Sequence, residues 1–543
     1  MRTWAGTPAA ARMRERAASP WGRGTVAVGS GALSALAFPA PSLWWLAYVA
    51  LVPWMLLLRT AATGRRAALE GWLGGLGFVL AVHHWLLPSL HVFLLVLGAL
   101  LGLLWAPWGM LVRYALGGAA SGLRASAAVA VVPSGWLMVE LARSWEGLGG
   151  PWGLLGAGQW EVAPALRLAS VGGVWLVSLL VVAVNTALAL LVAVAGARSA
   201  AGVALAGCAV VVGSVAAWAP RPESSGRVRI AVVQPGVVAP GVVGGANAVE
   251  RRFARGEELT RTLAGRGADL VVWGESSVGA DLATRPDLAA RLAVLARVTG
   301  APVLVNVDAR ATDAAGRTGI FKRAVLVGPE GPTGEVYDKR RLVPFGEYVP
   351  ARAALGWVTS VGRAAGEDRL RGTGQVVMVL PGEGRGGLRL GPLICFETAF
   401  PDLSRRLVRD GAQVLVAQSS TSSFQGSWAP RQHASLAALR AAETGRPMVH
   451  ATLTGVGAVF GPDGRRVGGP LGTDRSVAAV FDVPLARSTT AYVRFGDWAV
   501  YGALAVLAVF CAVAGGRSLR RPGPEPLVPP ARTSRESAER PVR

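Results

Sequence analysis

Cysteine is scarce in this chain: Cys208, Cys395 and Cys511 are three residues in 543. Three widely separated thiols cannot build a disulfide framework, and their spacing matches no zinc motif. Lysine is scarcer still, since of 55 basic residues only Lys322 and Lys339 are not arginine. Charge as a whole is thin, at 16% of residues against 52% hydrophobic, with a mean hydropathy of +0.42. That balance excludes a wholly water-solvated protein, because segments this apolar need another solvent. The net charge of +22 comes without a dense basic patch interleaved with aromatics in a folded segment, which argues against a nucleic-acid partner. The arginines lie between apolar runs and in both tails, as in the cytoplasmic loops of membrane proteins.

Long apolar runs are what the sequence has in abundance. Seven candidate spans lie at about 24–39, 42–58, 68–87, 90–112, 123–142, 166–195 and 200–219, and an eighth at 498–516. They divide the chain into a basic cytoplasmic N-terminus (1–23), a transmembrane region (24–219), a domain of mixed polarity (220–497), a final span (498–516) and a tail (517–543). The tail is rich in Pro and Arg with little to bury, and is expected to be disordered. Arg59, Arg65, Arg66, Arg113, Arg124 and Arg198 sit in alternate breaks, whereas "FPAPS" and "PSLH" carry no positive charge. The asymmetry puts both termini inside and the 220–497 domain outside. An alternative makes 24–39 a cleaved signal peptide, which leaves the remaining orientation unchanged. The spans carry essentially no charge, which argues against a transporter. Loop 143–165 is either an ordinary interfacial loop or the lining of a lipid-facing cleft. His83, His84 and His91 read as polar anchors in a Trp-rich interface rather than as metal ligands.

From Val228 short apolar strands alternate with helices: strands at 228–234, 269–276 and 302–308, helices at 246–264 and 286–299, a hairpin over 323–344, and further strands and helices to Phe481. This is the pattern of an α/β domain with helices covering a sheet, in which reactive groups gather at strand ends. Three such groups stand out: Glu275 after "LVVWG", Lys339 in "YDKRRLVPFGEYVP" and Cys395 after "LGPLI". A thiol, a carboxylate and an ammonium arriving at one edge are the parts needed for acyl transfer. Taken alone, Cys395 is as well read as a buried structural thiol. Segment 351–365, with Trp357, has loosely amphipathic spacing and reads either as a membrane-dipping arm or as a helix packed on the domain.

"WGES", "KRRLVPFGEYVP" and "LICFE" together resemble the signatures of the nitrilase superfamily. Their placement between a polytopic region and one last span resembles its membrane-anchored branch, the apolipoprotein N-acyltransferase family. The resemblance implies an αββα sandwich on a bundle of about eight membrane helices, in a bacterial plasma membrane, with the sandwich extracytoplasmic. It implies that Glu275 is a general base, that Lys339 stabilises a tetrahedral intermediate and that Cys395 is the nucleophile, with Glu347 and Glu397 as supporting carboxylates. The partners implied are a phospholipid acyl donor and a diacylglyceryl apolipoprotein acceptor, joined through a Cys thioester, with no cofactor and no metal. Trp357, Phe396, Ser420, Ser423 and Phe424 are candidate lipid or acceptor contacts. The sequence departs from the family pattern at Gly274, where Pro is frequent, at Phe396, where Tyr is frequent, and at 419–423, where Ser and Thr stand for Asn and Trp. The competing functions are a membrane-tethered amidase with the same chemistry and a non-catalytic scaffold.

Overall fold

The computed structural model describes residues 19–118, 122–236, 246–356, 367–381 and 387–519. Trp357, most of segment 351–365 and the tail beyond Leu519 lie outside them. The N-terminal region begins with two short apolar helices, α1 (Pro20–Leu33) and α2 (Trp44–Arg59). Helix α3 (Gly64–Val82) continues, after a bend of 63°, into His84–Leu90. Then follow α4 (Phe93–Leu116), α5 (Arg124–Arg143), α6 (Ala163–Ala193) and α7 (Ala195–Trp218). These four and the last helix, Trp498–Gly516, are long and apolar enough to cross a bilayer, which makes five among the described residues, or six if the bent pair counts as one span. Length and hydropathy therefore do not return the expected eight. Two features account for the shortfall: α1 and α2 are cut short by the Pro-containing turn between them, and the run after α3 breaks at His83, ahead of Pro88.

The spans are also not free of charge. Glu70 in α3 is fully buried between Arg23 at 2.6 Å and Arg66 at 2.7 Å, and Glu140 and Arg143 in α5 are each 1% exposed. Buried charge is tolerated when its bonds are met. Glu140 accepts from the Leu155 N–H and the Trp136 indole, and Arg143 donates to the carbonyls of Trp152 and Gly153.

The second region is a sandwich of two sheets. Strands β1 (Ser224–Gln234), β2 (Leu270–Trp273), β3 (Val303–Thr312), β4 (Thr318–Gly328), β5 (Gly331–Asp338) and β11 (Val477–Ala486) form a six-stranded sheet in the order β11-β1-β2-β3-β4-β5. Strands β6 (Met378–Val379), β7 (Arg389–Ile394), β8 (Val414–Ser419), β9 (Met448–Thr452) and β10 (Ala458–Phe460) form a five-stranded one in the order β10-β9-β8-β7-β6. Alternation along each strand divides the side chains between two faces. Ile230, Val232, Leu270, Val272 and Leu304 meet Ile394, Val414, Val416 and Val449 between the sheets. On the other face of the first sheet, Ala231, Val271, Val303 and Val305 bury α8 (Ala246–Arg261) and α9 (Pro286–Thr299) through Phe253, Leu288, Leu292 and Leu295.

The second sheet's outer face has a different partner. Leu393, Leu415, Ala417 and Met448 pack on α10 (Pro401–Arg409) and α11 (Ala429–Thr444), and this cluster runs without a break into the membrane helices. Every residue of α11 except Arg431 is buried. One junction fixes it to α6, which is broken at Gly172 and Gly173, the latter with φ 69°. The break frees the Val174 N–H, which donates to Glu443 of α11 at 2.7 Å, and Arg440 balances Glu443 at 2.7 Å. A Cβ at Gly173 would stand 2.6 Å from the Tyr492 ring, so only glycine lets the two regions approach this closely. Helix α12 (Trp498–Gly516) closes the bundle.

Candidate active site

Glu275 and Lys339 come from the six-stranded sheet and Cys395 from the five-stranded one. Strand β2 ends at Trp273, two residues before Glu275, and β5 ends at Asp338, directly before Lys339. The expected hairpin thus stops short of 344, and its last residues form the loop that carries Lys339 and Glu347. Gly274 has a steric explanation. A Cβ there would fall 2.0 Å from the Leu453 nitrogen, so a residue with a side chain would push β2 away from the end of β9.

Cys395 is the first residue after β7, at φ 51°, in the left-handed region. A non-glycine residue held there stores strain, and such positions cluster at functional turns. A short 3₁₀ turn, Cys395–Ala399, leads from it into α10. The thiol lies 3.9 Å from the Ser420 carbonyl. The Cys395 carbonyl is 3.0 Å from His433 Nε2. A carbonyl can only accept, so Nε2 carries the proton. Burial holds His433 down to about 4, which keeps it neutral at ordinary pH.

Lys339 is fully buried and donates to Glu275 Oε1 at 3.1 Å and Glu347 Oε1 at 2.7 Å. Glu347 uses its second oxygen to accept the Val343 N–H at 2.8 Å, which fixes the turn. Burial opposes the lysine charge, but the two carboxylates outweigh it and hold the ammonium well above the ordinary lysine range. Burial, and then the charge of Glu275, push the Cys395 thiol far above its usual value, with Lys339 pulling against them. The resting sulfur therefore keeps its proton.

Glu397 stands apart from this cluster. It is fully buried and accepts four bonds: from the Tyr337 hydroxyl at 2.8 Å, Arg340 N–H at 2.8 Å, Arg341 N–H at 3.1 Å and Ile394 N–H at 2.8 Å. It ties the cysteine turn to the lysine loop. The next amide of that loop, Leu342 N–H, goes to Glu146 at 3.0 Å, from the membrane loop between α5 and α6. Glu146 also pairs with Arg371 at 2.5 Å and Arg341 at 3.4 Å. Three consecutive amides after Lys339 are thus held by two buried carboxylates, one from each side.

Glu275, Lys339, Glu347 and Cys395 line one cavity of about 390 Å³. Phe396, Ser420, Ser423 and Phe424 line it too, so four of the five candidate contacts meet the cluster, and the fifth, Trp357, is outside the described residues. Loop 143–165 contributes Gly147–Gly149 and Trp152, the cleft-lining alternative. The far end reaches between the membrane helices to Leu90, Phe93, Leu97 and Leu101. His83 borders the cavity, while its Nδ1 and that of His84 bond to backbone carbonyls of α3.

Sequence reasoning missed Glu146, His433 and Lys322. Lys322 bonds to Asp308 at 2.6 Å and to the Ser276 hydroxyl, which follows Glu275 at φ 52°. Both lysines of the chain therefore end at the Glu275 turn. Their rarity was the available signal, and it pointed to two residues rather than one.

Residues 30–187 match the family model described as the apolipoprotein N-acyltransferase N-terminal domain, and residues 229–491 match the carbon-nitrogen hydrolase model. A protein of Geobacter metallireducens named apolipoprotein N-acyltransferase is 30% identical over 507 residues, covering 90% of this chain and 94% of the relative. Relatives of the same name from Azotobacter vinelandii (30%, covering 93% and 97%) and Pseudomonas aeruginosa (29%, covering 92% and 97%) are similar over comparable lengths. Among solved structures, an amidase from Nesterenkonia is 19% identical with a TM-score of 0.32, covering 48% of this chain and 92% of the amidase.

Proposed function

The chain belongs to the apolipoprotein N-acyltransferase family, and from that premise and the geometry of the site we propose that it moves a fatty acyl chain from a phospholipid to the N-terminal amine of a diacylglyceryl-cysteine lipoprotein. The observation that carries this reading is the continuity of the cavity: an acid, an ammonium and a thiol at one end, Phe93, Leu97 and Leu101 of a membrane helix at the other. These three recur every fourth residue, so they form a stripe along one face of α4, suited to a hydrocarbon chain.

In the first step Glu275 takes the Cys395 proton as the sulfur attacks the ester carbonyl carbon. The carbonyl oxygen becomes an oxyanion beside the Lys339 ammonium, which is already charged and held by Glu347. Collapse breaks the carbon–oxygen bond, and the proton on Glu275 passes to the departing lysophospholipid oxygen, leaving a thioester. In the second step the α-amine of the acceptor attacks that thioester and Glu275 takes an N–H proton. Collapse forms the amide and returns the proton to the Cys395 sulfur. Glu397 supports the turn without touching the reactants. The apolar wall shields the thioester from water between the two steps.

Both substrates are lipid-anchored, which supports a sandwich tethered to the bilayer. We read α1, α2, the bent α3 segment, α4 to α7 and α12 as eight spans, with both termini cytoplasmic and residues 220–497 outside. The experiment is intact-mass analysis of the purified protein mixed with phospholipid. An acyl adduct on Cys395, discharged by a diacylated lipopeptide, is expected. Discharge to water alone would turn the assignment toward an amidase, and no adduct at all would turn it toward a scaffold.

A further inference from the structure

A second concavity, of about 510 Å³, opens at the foot of the sandwich, away from the catalytic cluster. Its wall includes Pro220, Arg409, Thr489, Val493, Arg494 and Phe495. Two helices fix its height. Pro220 lies just past the end of α7 at Trp218, and Phe495 just ahead of the start of α12 at Trp498. Trp218 is 80% exposed and Phe495 63% exposed. Large aromatics open to the surroundings at the ends of apolar spans mark the interfacial layer of a bilayer, where headgroups lie.

The charges at this level are unbalanced. Among the described residues neither Arg409 nor Arg494 has a carboxylate within ion-pairing distance, and no acid lines the groove. The neighbouring acids are engaged elsewhere: Asp497 by Arg405 at 3.0 Å and by the Tyr492 hydroxyl at 2.9 Å, Asp410 by Arg406 at 3.8 Å. A guanidinium offers a planar fork that matches phosphate oxygens. Beside the two forks, Val493 and Phe495 supply an apolar flank. The groove is therefore cationic on one side, apolar on the other, and set at headgroup height.

We propose that this groove holds the headgroup phosphate of an anionic phospholipid, with Arg409 and Arg494 as its ligands, as a lipid site separate from the cavity where acyl transfer takes place. The proposal does not depend on the acyl-transfer reading. It has a structural consequence for the site, because Arg409 ends the helix that starts just after the Cys395 turn. A lipid bound there braces that helix against the membrane at its far end.

The test uses the full chain in phosphatidylcholine nanodiscs doped with phosphatidylglycerol, followed by native mass spectrometry of the lipids retained. Each surface arginine is worth about fivefold in affinity for an anionic lipid, so Arg409→Gln with Arg494→Gln should lower phosphatidylglycerol retention about 25-fold. The far-UV circular dichroism of the double variant should match that of the wild type, which reports that it has folded. If the double variant fails to fold, the wild type with a photoreactive phosphatidylglycerol headgroup decides, and labels are expected on the segments around Arg409 and Arg494. The proposal is overturned if the variant retains phosphatidylglycerol like the wild type. It is equally overturned if inorganic phosphate displaces the lipid, which would make this a free-anion site, or if the photoreactive headgroup labels other segments.

Discussion

The two sheets of the sandwich share one architecture but face different surroundings. The six-stranded sheet is covered by α8 and α9, whose outer faces are solvated: Arg291 of α9, 33% exposed, pairs with Glu250 and Glu257 across the surface. The five-stranded sheet is covered by α11, buried on nearly every side against α6, with Arg440 and Glu443 inside and matched to each other. The first layer is an amphipathic cover and the second is a joint. Glu275 and Lys339 follow strands of the sheet with the solvated cover and Cys395 a strand of the joined one, so the proposed chemistry would be assembled across the seam. In the proposed reaction this arrangement would bring groups from the layer with the solvated cover to a thiol on the layer joined to the apolar helices.

The largest expected effect falls on the joined side. Cys395→Ala should abolish the acyl adduct and turnover while leaving the melting temperature unchanged, and residual turnover near wild type would break the comparison. Next comes the junction itself. Glu443→Ala leaves the Arg440 charge without its carboxylate, though still bonded to the Ala399 carbonyl, and the Val174 N–H without an acceptor inside the joint, which should cost on the order of 3–5 kcal/mol, read as a fall in thermal stability in micelles.

Acid should act on the same side. His433 and His450, in contact at 4.8 Å, are held by burial down to about 4 and about 3. Both lie below the ordinary histidine value, so the unfolded chain binds more protons in this range. Their contribution is complete above pH about 6.5 and is lost as pH falls toward 4, by on the order of 3 kcal/mol each. Melting curves between pH 8 and 4 would show the slope, and His433→Asn should flatten it.

Glu146→Gln keeps the shape of the clamp on Leu342 but removes the charge facing Arg341 and Arg371. Turnover is expected to fall about tenfold, which is about 1.4 kcal/mol. Wild-type kinetics would show that the membrane loop does not position Lys339. The smallest effect belongs to the solvated layer, where Arg291→Ala removes surface pairs worth at most about 1 kcal/mol and should leave turnover intact.

What could be read in the sequence follows the same division. Short apolar runs located the strands of the six-stranded sheet, whose two faces are both covered, and polar faces located α8 and α9, whose outer sides meet water. Helix α11 buries all its faces, so it carries no amphipathic stripe and nothing local marks it as a joint. Glu275, Lys339 and Cys395 were legible because each follows a strand. Glu397 was named as a supporting carboxylate through the family resemblance, whereas Glu146 acts through a backbone amide on a distant segment, and such a contact has no sequence signature. The charges at Glu70 and Glu140 were overlooked for a related reason. Each is compensated by partners on other segments, such as Arg23 for Glu70 and the Leu155 N–H for Glu140, and appears in the sequence only as an isolated acid within an apolar run.

The claim most exposed to test is that groups from the two sheets work as one unit on the sulfur. It can be measured as the single-turnover rate of Cys395 acylation by a soluble ester in Glu275→Gln, Lys339→Met and the double variant. If the three act together, the double variant should lose about as much as either single one. Losses that multiply would show two independent contributions and contradict an assembly across the seam.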